Sequence, residues 1–358
     1  MSDLKKRLMK ASTNKLTAGL EKSTFFNDRD MVKTSVPMLN LALSGRFDGG
    51  LPSGLGLLAG PSKSFKTCMG LVMVAAYLKK YPDAICLFYD SEFGCTPAYL
   101  KSMGVDPDRV VHTPIQNIEG LKCDLVNQLE AIERGEKVIV FIDSVGNTAS
   151  KKETDDALNE KLVADMSRAK AIKSLFRIAT PYFTTKDIPC VAICHTYETQ
   201  EMYSKSIISG GTGLMYSANW AFIIGKRQIK EDKDIVGYEF VINAEKSRYV
   251  KEKSKFPISV TFDGGINMYS GLLELAQELG FVVKPSNGWF QPAYLDMETG
   301  EMVPDESKKW RAKDTECLEF WKPLFAHEHF KQAVRNRYEL GAIEMDSKAM
   351  EDEVAQLI

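Results

Sequence analysis

The sequence predicts an α/β fold in which a mostly parallel central sheet is covered by helices on both faces. Six short apolar runs have the length and composition of buried strands, at 55–59, 85–90, 110–113, 138–143, 188–194 and 220–225. Helix-forming segments lie between or after them, at 66–80, 96–103, 118–134 and 157–183. Continuous apolar strands that alternate with helices are typical of parallel sheets buried on both faces.

The two ends of the chain differ from this central pattern. Residues 1–22 favour a helix too short to bury its apolar face alone, so we expect it to dock on the core or on a neighbour; its leucines are Leu4, Leu8, Leu16 and Leu20. After Lys226, longer segments predict antiparallel strands that extend the sheet. We predict three units, which are an N-terminal helix and connector (1–30), a core (31–268) and a small C-terminal α/β lobe (269–358).

Composition argues against several classes of protein. The chain of 358 residues is 44% hydrophobic and 26% charged, as is ordinary for a soluble globular protein. Its seven cysteines are scattered and it has four histidines, so we expect reduced, buried thiols in a cytoplasmic protein rather than a disulfide scaffold or a zinc site. No apolar run is long enough to span a membrane, and we expect no membrane partner. The net charge of −2 argues against bulk attraction to phosphates but permits a local basic groove.

The strongest motif is GPSKSFKT at residues 60–67, between a predicted strand and a predicted helix. It matches the phosphate-binding loop G-x-x-x-x-G-K-[ST], except that Phe65 stands where the second glycine is usual. Backbone N–H groups and the helix N-terminus form a positive seat for phosphates in such loops. We expect Lys66 to reach the β- and γ-phosphates of ATP and the Thr67 hydroxyl to bind Mg²⁺. The other loop residues expected at the nucleotide are Gly60, Pro61, Ser62, Lys63, Ser64 and Phe65.

Carboxylates follow two of the predicted strands. Asp143 closes the apolar strand VIVFID, where a carboxylate beside the phosphate loop would hold Mg²⁺ through water. Asp90 ends the strand ICLFYD, and Glu92 lies in the loop after it. Either could orient and deprotonate a water that attacks the γ-phosphorus, and spacing alone favours neither.

A histidine and a long polar segment follow the strand at 188–194. His195 would face the nucleotide and could sense the γ-phosphate, although a lone histidine is as often structural. The segment from Thr196 to Gly213 is predicted to be a loop, and loops of that length in compact domains are usually functional or mobile. Lysines and arginines are densest near the end of the core, where alternation puts Lys246 and Arg248 on one strand face.

The order of these motifs resembles the RecA family of strand-exchange recombinases, and most closely its UvsX-like branch from T-even-type bacteriophages. The resemblance covers nearly the whole chain and rests on five segments, which are GPSKSFKT, LFYDSEFGCTPAYL, VIVFIDSVGN, SGGTGLMYSA and NAEKSR with the following DGGINMYSGLLELAQELG. It implies a RecA-type ATPase core. In the UvsX-like branch the phosphate loop also lacks its second glycine, so Phe65 departs only from the wider pattern.

The resemblance assigns roles that spacing could not. It implies that Glu92 is the catalytic glutamate, that Tyr99 stacks on adenine and that Thr96 stands where relatives have an acidic adenine contact. It implies that His195 senses the γ-phosphate. The basic pair Lys246 and Arg248 would reach ATP bound to the adjacent subunit.

The implied activity is that of a DNA-dependent ATPase that forms helical filaments on single-stranded DNA and exchanges strands with homologous duplex DNA. The N-terminal helix would dock on the neighbouring subunit, and a recombination mediator or loader and a single-strand-binding protein are expected partners. If a phage encodes the chain, its place is the host cytoplasm. Two DNA-binding loops are implied, near 150–164 and 196–213, with contacts from Lys151, Lys152, Thr196, Tyr197, Met202, Tyr203, Lys205, Ile207, Gly210 and Gly211.

Two other functions use the same motifs. A ring helicase or translocase with this core would assemble as closed hexamers, whereas the N-terminal helix suits open head-to-tail filaments. An ATP-binding regulator would lack turnover, which the combination of Thr67, Glu92 and Asp143 argues against.

Overall fold

One mixed sheet forms the centre of the protein. The computed structural model describes residues 3–22, 30–159, 167–199, 206–296 and 299–341. Within these residues the sheet has ten strands in the order β10-β9-β8-β7-β1-β5-β4-β2-β3, and β6 pairs with β5. The strands are β1 Gly54–Gly60, β2 Ile85–Asp90, β3 Val110–Pro114, β4 Val138–Asp143, β5 Pro189–Glu198, β6 Ser206–Ile208, β7 Trp220–Glu231, β8 Asp234–Ser247, β9 Lys255–Thr261 and β10 Gly265–Ile266.

Helices cover both faces of this sheet, as predicted. One apolar core lies between the sheet, α2, α3 and the C-terminal lobe, and a second lies between the sheet, α5 and α7. The helices are α1 Asp3–Ala11, α2 Pro37–Ser44, α3 Lys66–Lys80, α4 Pro97–Ser102, α5 Ile118–Ala131, α6 Lys151–Leu158, α7 Ser167–Thr185, α8 Thr212–Ser217, α9 Leu272–Glu278, α10 Leu318–Ala326 and α11 Glu328–Tyr338.

The mostly parallel arrangement is confirmed. Strands β7, β1, β5, β4, β2 and β3 pair in parallel, and β8 to β10 extend the sheet as antiparallel neighbours. Because parallel strands end at the same edge, the register brings Gly60 opposite His195 and Asp90 opposite Asp143. The sheet therefore gathers the ends of the predicted functional strands at one edge.

Two predicted helices differ in extent. The single helix predicted over 157–183 is wrong, because α6 ends at Leu158, α7 begins at Ser167, and 160–166 lie outside the described residues. The helix predicted within 1–22 ends at Ala11. Beyond it, the Asn14 side chain accepts the N–H of Leu16 at 2.9 Å, a local turn that competes with helix formation.

The N-terminal leucines are exposed in the isolated chain. Their exposed fractions are 57%, 63%, 39% and 74% for Leu4, Leu8, Leu16 and Leu20. The α1 helix itself buries none of its residues. No part of the chain that the structure describes covers this apolar face. Among the described residues, no helix is long and apolar enough to cross a membrane.

The C-terminal region contains a second, small sheet. Four strands form it, β11 Val282–Ser286, β12 Trp289–Leu295, β13 Met302–Pro304 and β14 Trp310–Arg311, and all pair in antiparallel fashion. Helices α9, α10 and α11 accompany it, and Phe47 of the core stacks edge-on against Phe325 at 4.9 Å. An α/β lobe joined to the core was expected here; its boundary at 268/269 stays a prediction.

Candidate nucleotide site

The phosphate loop joins β1 to α3 with an unusual backbone. Lys63 and Phe65 both have left-handed conformations, with φ values of 59° and 67°. At Gly60 a Cβ atom would come within 2.6 Å of the Ser64 hydroxyl and 3.0 Å of the carbonyl oxygen of Ile224, so a larger residue would require the loop to shift. The N-cap residue of α3, Phe65, supplies no side-chain hydrogen bond to the start of the helix. The first N–H groups of α3 are thus available to a phosphate.

Lys66 lies against the loop rather than in solvent. Its Nζ donates to the carbonyl of Pro61 at 2.7 Å and to the hydroxyl of Ser64 at 3.3 Å, and the residue is 6% exposed. Burial lowers the pKa of Lys66, and the carboxylates of Asp143 and Glu92 partly offset that shift. An ammonium group held over the loop can meet the phosphates of a bound nucleotide.

Thr67 and Asp143 form a compact group of oxygen donors. The Thr67 hydroxyl donates to Oδ2 of Asp143 at 2.6 Å, which brings the start of α3 to the end of β4. Burial raises the pKa of Asp143 to about 6 despite the bond from Thr67, and repulsion from Glu92 and Asp90 adds to the rise. A hydroxyl beside a carboxylate provides the hard oxygen ligands that Mg²⁺ prefers, so these residues fit the ion.

Asp90 and Glu92 have different surroundings. Asp90 is 2% exposed, and its Oδ1 accepts the N–H groups of Glu92 and Phe93 at 2.9 and 2.7 Å. Its Oδ2 lies 3.2 Å from Nε2 of His112. One oxygen of Asp90 therefore shapes the turn after β2 and the other contacts His112 of β3, whereas the side chain of Glu92 is 37% exposed and lines the cleft.

Glu92 is oriented by two neighbours across the sheet edge. Its Oε1 accepts the Ser144 hydroxyl at 2.8 Å and lies 3.1 Å from Nε2 of His195. Burial alone would raise the pKa of Glu92, but the bonds to Ser144 and His195 and the charge of Lys66 lower it overall. The carboxylate is therefore ionised at neutral pH. Sequence reasoning missed Ser144, and its place directly after Asp143 was the available signal.

These side chains line a cleft of about 290 Å³. Tyr99 is on its wall, and the Tyr99 hydroxyl lies 2.7 Å from the sulfur of Cys68 on α3. Thr96 does not line this cleft. Its hydroxyl instead accepts the N–H of Tyr99 at 3.2 Å and caps α4, so it orients the segment that carries Tyr99. The lining residues are Ser62, Lys63, Lys66, Thr67, Glu92, Gly94, Cys95, Tyr99, Asp143, Ile193 and His195.

Lys246 and Arg248 lie away from this cleft. The Nζ of Lys246 donates to the carbonyls of Met215 and Tyr216 at 2.8 and 3.1 Å, at the end of α8. Burial and the nearby Arg248 lower the pKa of Lys246. Arg248 follows the end of β8 and is exposed. Neither cation lines the cleft of its own chain.

The first segment predicted to bind DNA contains a helix. The prediction of a loop over 150–164 is wrong for its first half, because Ser150 and Glu153 form a capping box that starts α6. Lys151 and Lys152 lie in the first turn of α6 and are exposed. Lys152 pairs with Asp156 at 2.9 Å, which reduces the net positive charge that the segment presents.

The second segment begins as a hairpin. The loop predicted from Thr196 is wrong at its start, because β5 continues to Glu198 and pairs with β6, with Thr196 opposite Ile208 and Tyr197 opposite Ile207. Tyr197 and Ile207 are 55% and 38% exposed. Gly210 and Gly211 have left-handed φ values of 109° and 83° and lead into α8. Three predicted contacts, Met202, Tyr203 and Lys205, lie outside the described residues.

Comparison with known proteins agrees with this geometry. Residues 1–267 match the family model of the RecA N-terminal domain, and residues 269–334 match that of the C-terminal domain of the bacteriophage T4 recombination and repair protein. The chain is 66% identical over 358 residues to the recombination and repair protein of Enterobacteria phage T4. This match covers 100% of this chain and 91% of that protein. It is also 28% identical over 296 residues to Protein RecA of Ruminococcus albus, covering 79% and 69% of the two chains. The predicted resemblance is confirmed, and the chain belongs to the RecA family.

Proposed function

We propose that this chain is an ATP-dependent DNA recombinase that forms a helical filament on single-stranded DNA and exchanges strands with homologous duplex DNA. The observation that carries the proposal is the single cleft in which the loop lysine Lys66, the Thr67–Asp143 pair and the ionised Glu92 meet. Membership of the RecA family and the 66% identity to a recombination and repair protein support it.

Hydrolysis depends on residues at the sheet edge. The loop N–H groups and Lys66 seat the triphosphate of ATP, and Tyr99 lines the cleft where the adenine ring would stack. Glu92 accepts a proton from the attacking water, and its lowered pKa keeps the carboxylate unprotonated at neutral pH, as a base must be. Ser144 and His195 hold Glu92 in place, so a γ-phosphate that engages His195 would also reposition the base.

The metal requirement follows from the oxygen donors. Thr67 and Asp143 would hold Mg²⁺, which neutralises phosphate charge when bound. The hydroxyl of Thr67 donates its proton to Asp143, and its oxygen lone pairs stay available to the ion. A RecA-family chain is expected to use nucleotide and Mg²⁺ together.

Completion of the site requires a second copy. Lys246 and Arg248 do not line their own cleft; Lys246 lies near the end of β8, opposite Ala221 at the start of β7, and Arg248 follows β8. In a head-to-tail filament the same residues of the adjacent subunit would face the γ-phosphate. Charge neutralisation from both sides would couple the nucleotide to filament geometry. The exposed leucines of α1 and the segment after it would bind a neighbouring copy.

DNA contact is proposed for the hairpin and its flanks. The strand that presents His195 to Glu92 continues without interruption to Tyr197 and Glu198, so the nucleotide and this hairpin share one element. Exposed Tyr197 and Ile207 could contact bases, and loop N–H groups with Lys151 and Lys152 could contact phosphates. Such contacts would be tolerant of sequence. A loader and a single-strand-binding protein are proposed partners, and the host cytoplasm is the proposed location.

The test pairs an ATPase assay with electron microscopy. We expect single-stranded DNA to stimulate ATP turnover and extended helical filaments to form on it in the presence of ATP and Mg²⁺. Closed hexamers without DNA filaments would replace this proposal with a ring translocase. Nucleotide binding without turnover, with or without DNA, would indicate a regulator instead.

A further inference from the structure

Phe65 occupies the most demanding position of the phosphate loop. Its φ of 67° is a left-handed conformation that side chains other than glycine adopt at a steric cost. It directly precedes Lys66 and is the N-cap of α3, so its backbone sets the direction of the N–H groups that would face phosphate. Local backbone preference alone would therefore favour glycine here.

A stacked aromatic partner accompanies this conformation. The ring of Phe65 lies 4.8 Å from that of Phe240, with an interplanar angle of 13°. Phe240 is 4% exposed and lies within β8, where it pairs with Lys226 of β7 on one side and Ile258 of β9 on the other. The backbone of Phe240 is therefore held by strands on both sides and its side chain is buried, so the stack persists only if Phe65 moves little.

We propose that Phe65 is a positioning residue, which the stack on Phe240 holds in the left-handed conformation so that the loop is preformed for phosphate. In loops with glycine, freedom of the backbone permits this shape; here a side-chain contact with the sheet would maintain it. The inference rests on the proposed function of the loop and adds a specific consequence. Restoring the usual glycine weakens nucleotide binding, although it removes the steric cost.

The surroundings of the stack allow it to be tested by substitution. Phe65 is only partly buried and lines an open cavity of about 460 Å³, which Tyr238 and Lys226 also line. Phe65→Tyr therefore keeps the ring and leaves room for a hydroxyl. Phe65→Gly removes the ring and also the steric cost of the left-handed conformation, whereas Phe240→Leu removes the partner ring and leaves Phe65 in place.

The experiment measures binding of a fluorescent ATP analogue and the KM and kcat of DNA-stimulated turnover. We expect Phe65→Gly and Phe240→Leu each to raise Kd and KM about tenfold, with kcat changed less than about twofold, because the loop and not the chemistry is affected. The double variant should bind the analogue no more weakly than the weaker-binding single variant, because both substitutions remove the same contact. Phe65→Tyr, which keeps the ring, should bind the analogue as tightly as the unmodified chain.

The control separates relief of backbone strain from loss of the stack. Asp232 also has a left-handed φ, of 53°, at the tip of the β7–β8 hairpin, and Asp232→Gly should leave Kd and KM unchanged. Equal or tighter nucleotide binding by Phe65→Gly would overturn the inference, as would additive losses in the double variant. If Phe65→Gly does not fold, an unchanged Kd in folded Phe240→Leu overturns it equally. If Lys66→Ala is inactive while Phe65→Gly binds nucleotide normally, only the inference about Phe65 is contradicted. If Lys66→Ala keeps full activity, the proposed nucleotide site itself is contradicted.

Discussion

Substitution of the two neighbouring carboxylates should have opposite effects on stability and turnover. Asp90 is buried and accepts the N–H groups of Glu92 and Phe93 at 2.9 and 2.7 Å. Asp90→Ala would leave both N–H groups without this acceptor. Each hydrogen bond to a charged group contributes about 1.5–3 kcal/mol, so we expect the free energy of unfolding to fall by at least about 3 kcal/mol. Asp90→Asn keeps an acceptor oxygen and should lose much less.

Glu92 should behave in the reverse manner. Its side chain is partly exposed, and Glu92→Gln keeps an oxygen that can accept the Ser144 hydroxyl, so stability should change by less than about 1 kcal/mol. Loss of a general base should lower the kcat of DNA-stimulated ATP hydrolysis by a factor of about 10² to 10⁴. Filaments should still form, because the phosphate seat is intact.

Denaturant unfolding and steady-state ATPase assays on the same preparations separate these outcomes. Turnover of Asp90→Asn is measured at a denaturant concentration well below the midpoint of its unfolding. There we expect the turnover to stay within about threefold of that of the unmodified chain. The assignment fails if Glu92→Gln retains full turnover. It fails also if folded Asp90→Asn is as inactive as we expect Glu92→Gln to be, because Asp90 would then carry the chemistry.

Three further substitutions test other parts of the site. Lys66→Ala should abolish ATP-dependent strand exchange while far-ultraviolet circular dichroism stays unchanged, and retained exchange would refute the phosphate seat. Arg248→Ala should lose turnover alone and regain it when assembled with Lys66→Ala subunits, because mixed interfaces unite an intact loop with an intact arginine; no recovery would count against action across the interface. Tyr99→Ala should raise the KM for ATP about tenfold, whereas Tyr99→Phe should not, because a stacked ring and not its hydroxyl would bind the base. Equal KM values for the two would exclude stacking.

The central sheet could be predicted from sequence because its signals are local and agree with one another. Apolar strands such as 138–143 are buried throughout, and the loop at 60–67 lies between a strand and a helix as expected. Parallel pairing then dictates that their ends share an edge. The meeting of Gly60, Asp143 and His195 follows from topology without any knowledge of side-chain contacts.

Other features depended on contacts between distant segments. Spacing could not distinguish Asp90 from Glu92, because only the fold shows that the turn after β2 occupies one oxygen of Asp90 and His112 of β3 the other. The β5–β6 hairpin was hidden because its paired segments are short and mix polar with apolar residues, with Thr196, Tyr197 and Glu198 opposite Ile208, Ile207 and Ser206. The role of Phe65 was equally hidden, since its partner Phe240 is 175 positions away in sequence and adjacent only through the β7–β8 extension.

The central claim is that cations from an adjoining copy complete each ATP site, and dilution tests it most directly. Turnover per protomer is measured at saturating ATP and single-stranded DNA while the protein concentration is lowered through the range in which filaments disappear from electron micrographs. The account predicts that turnover per protomer collapses together with the filaments. Constant turnover per protomer after the filaments have dissociated would contradict it.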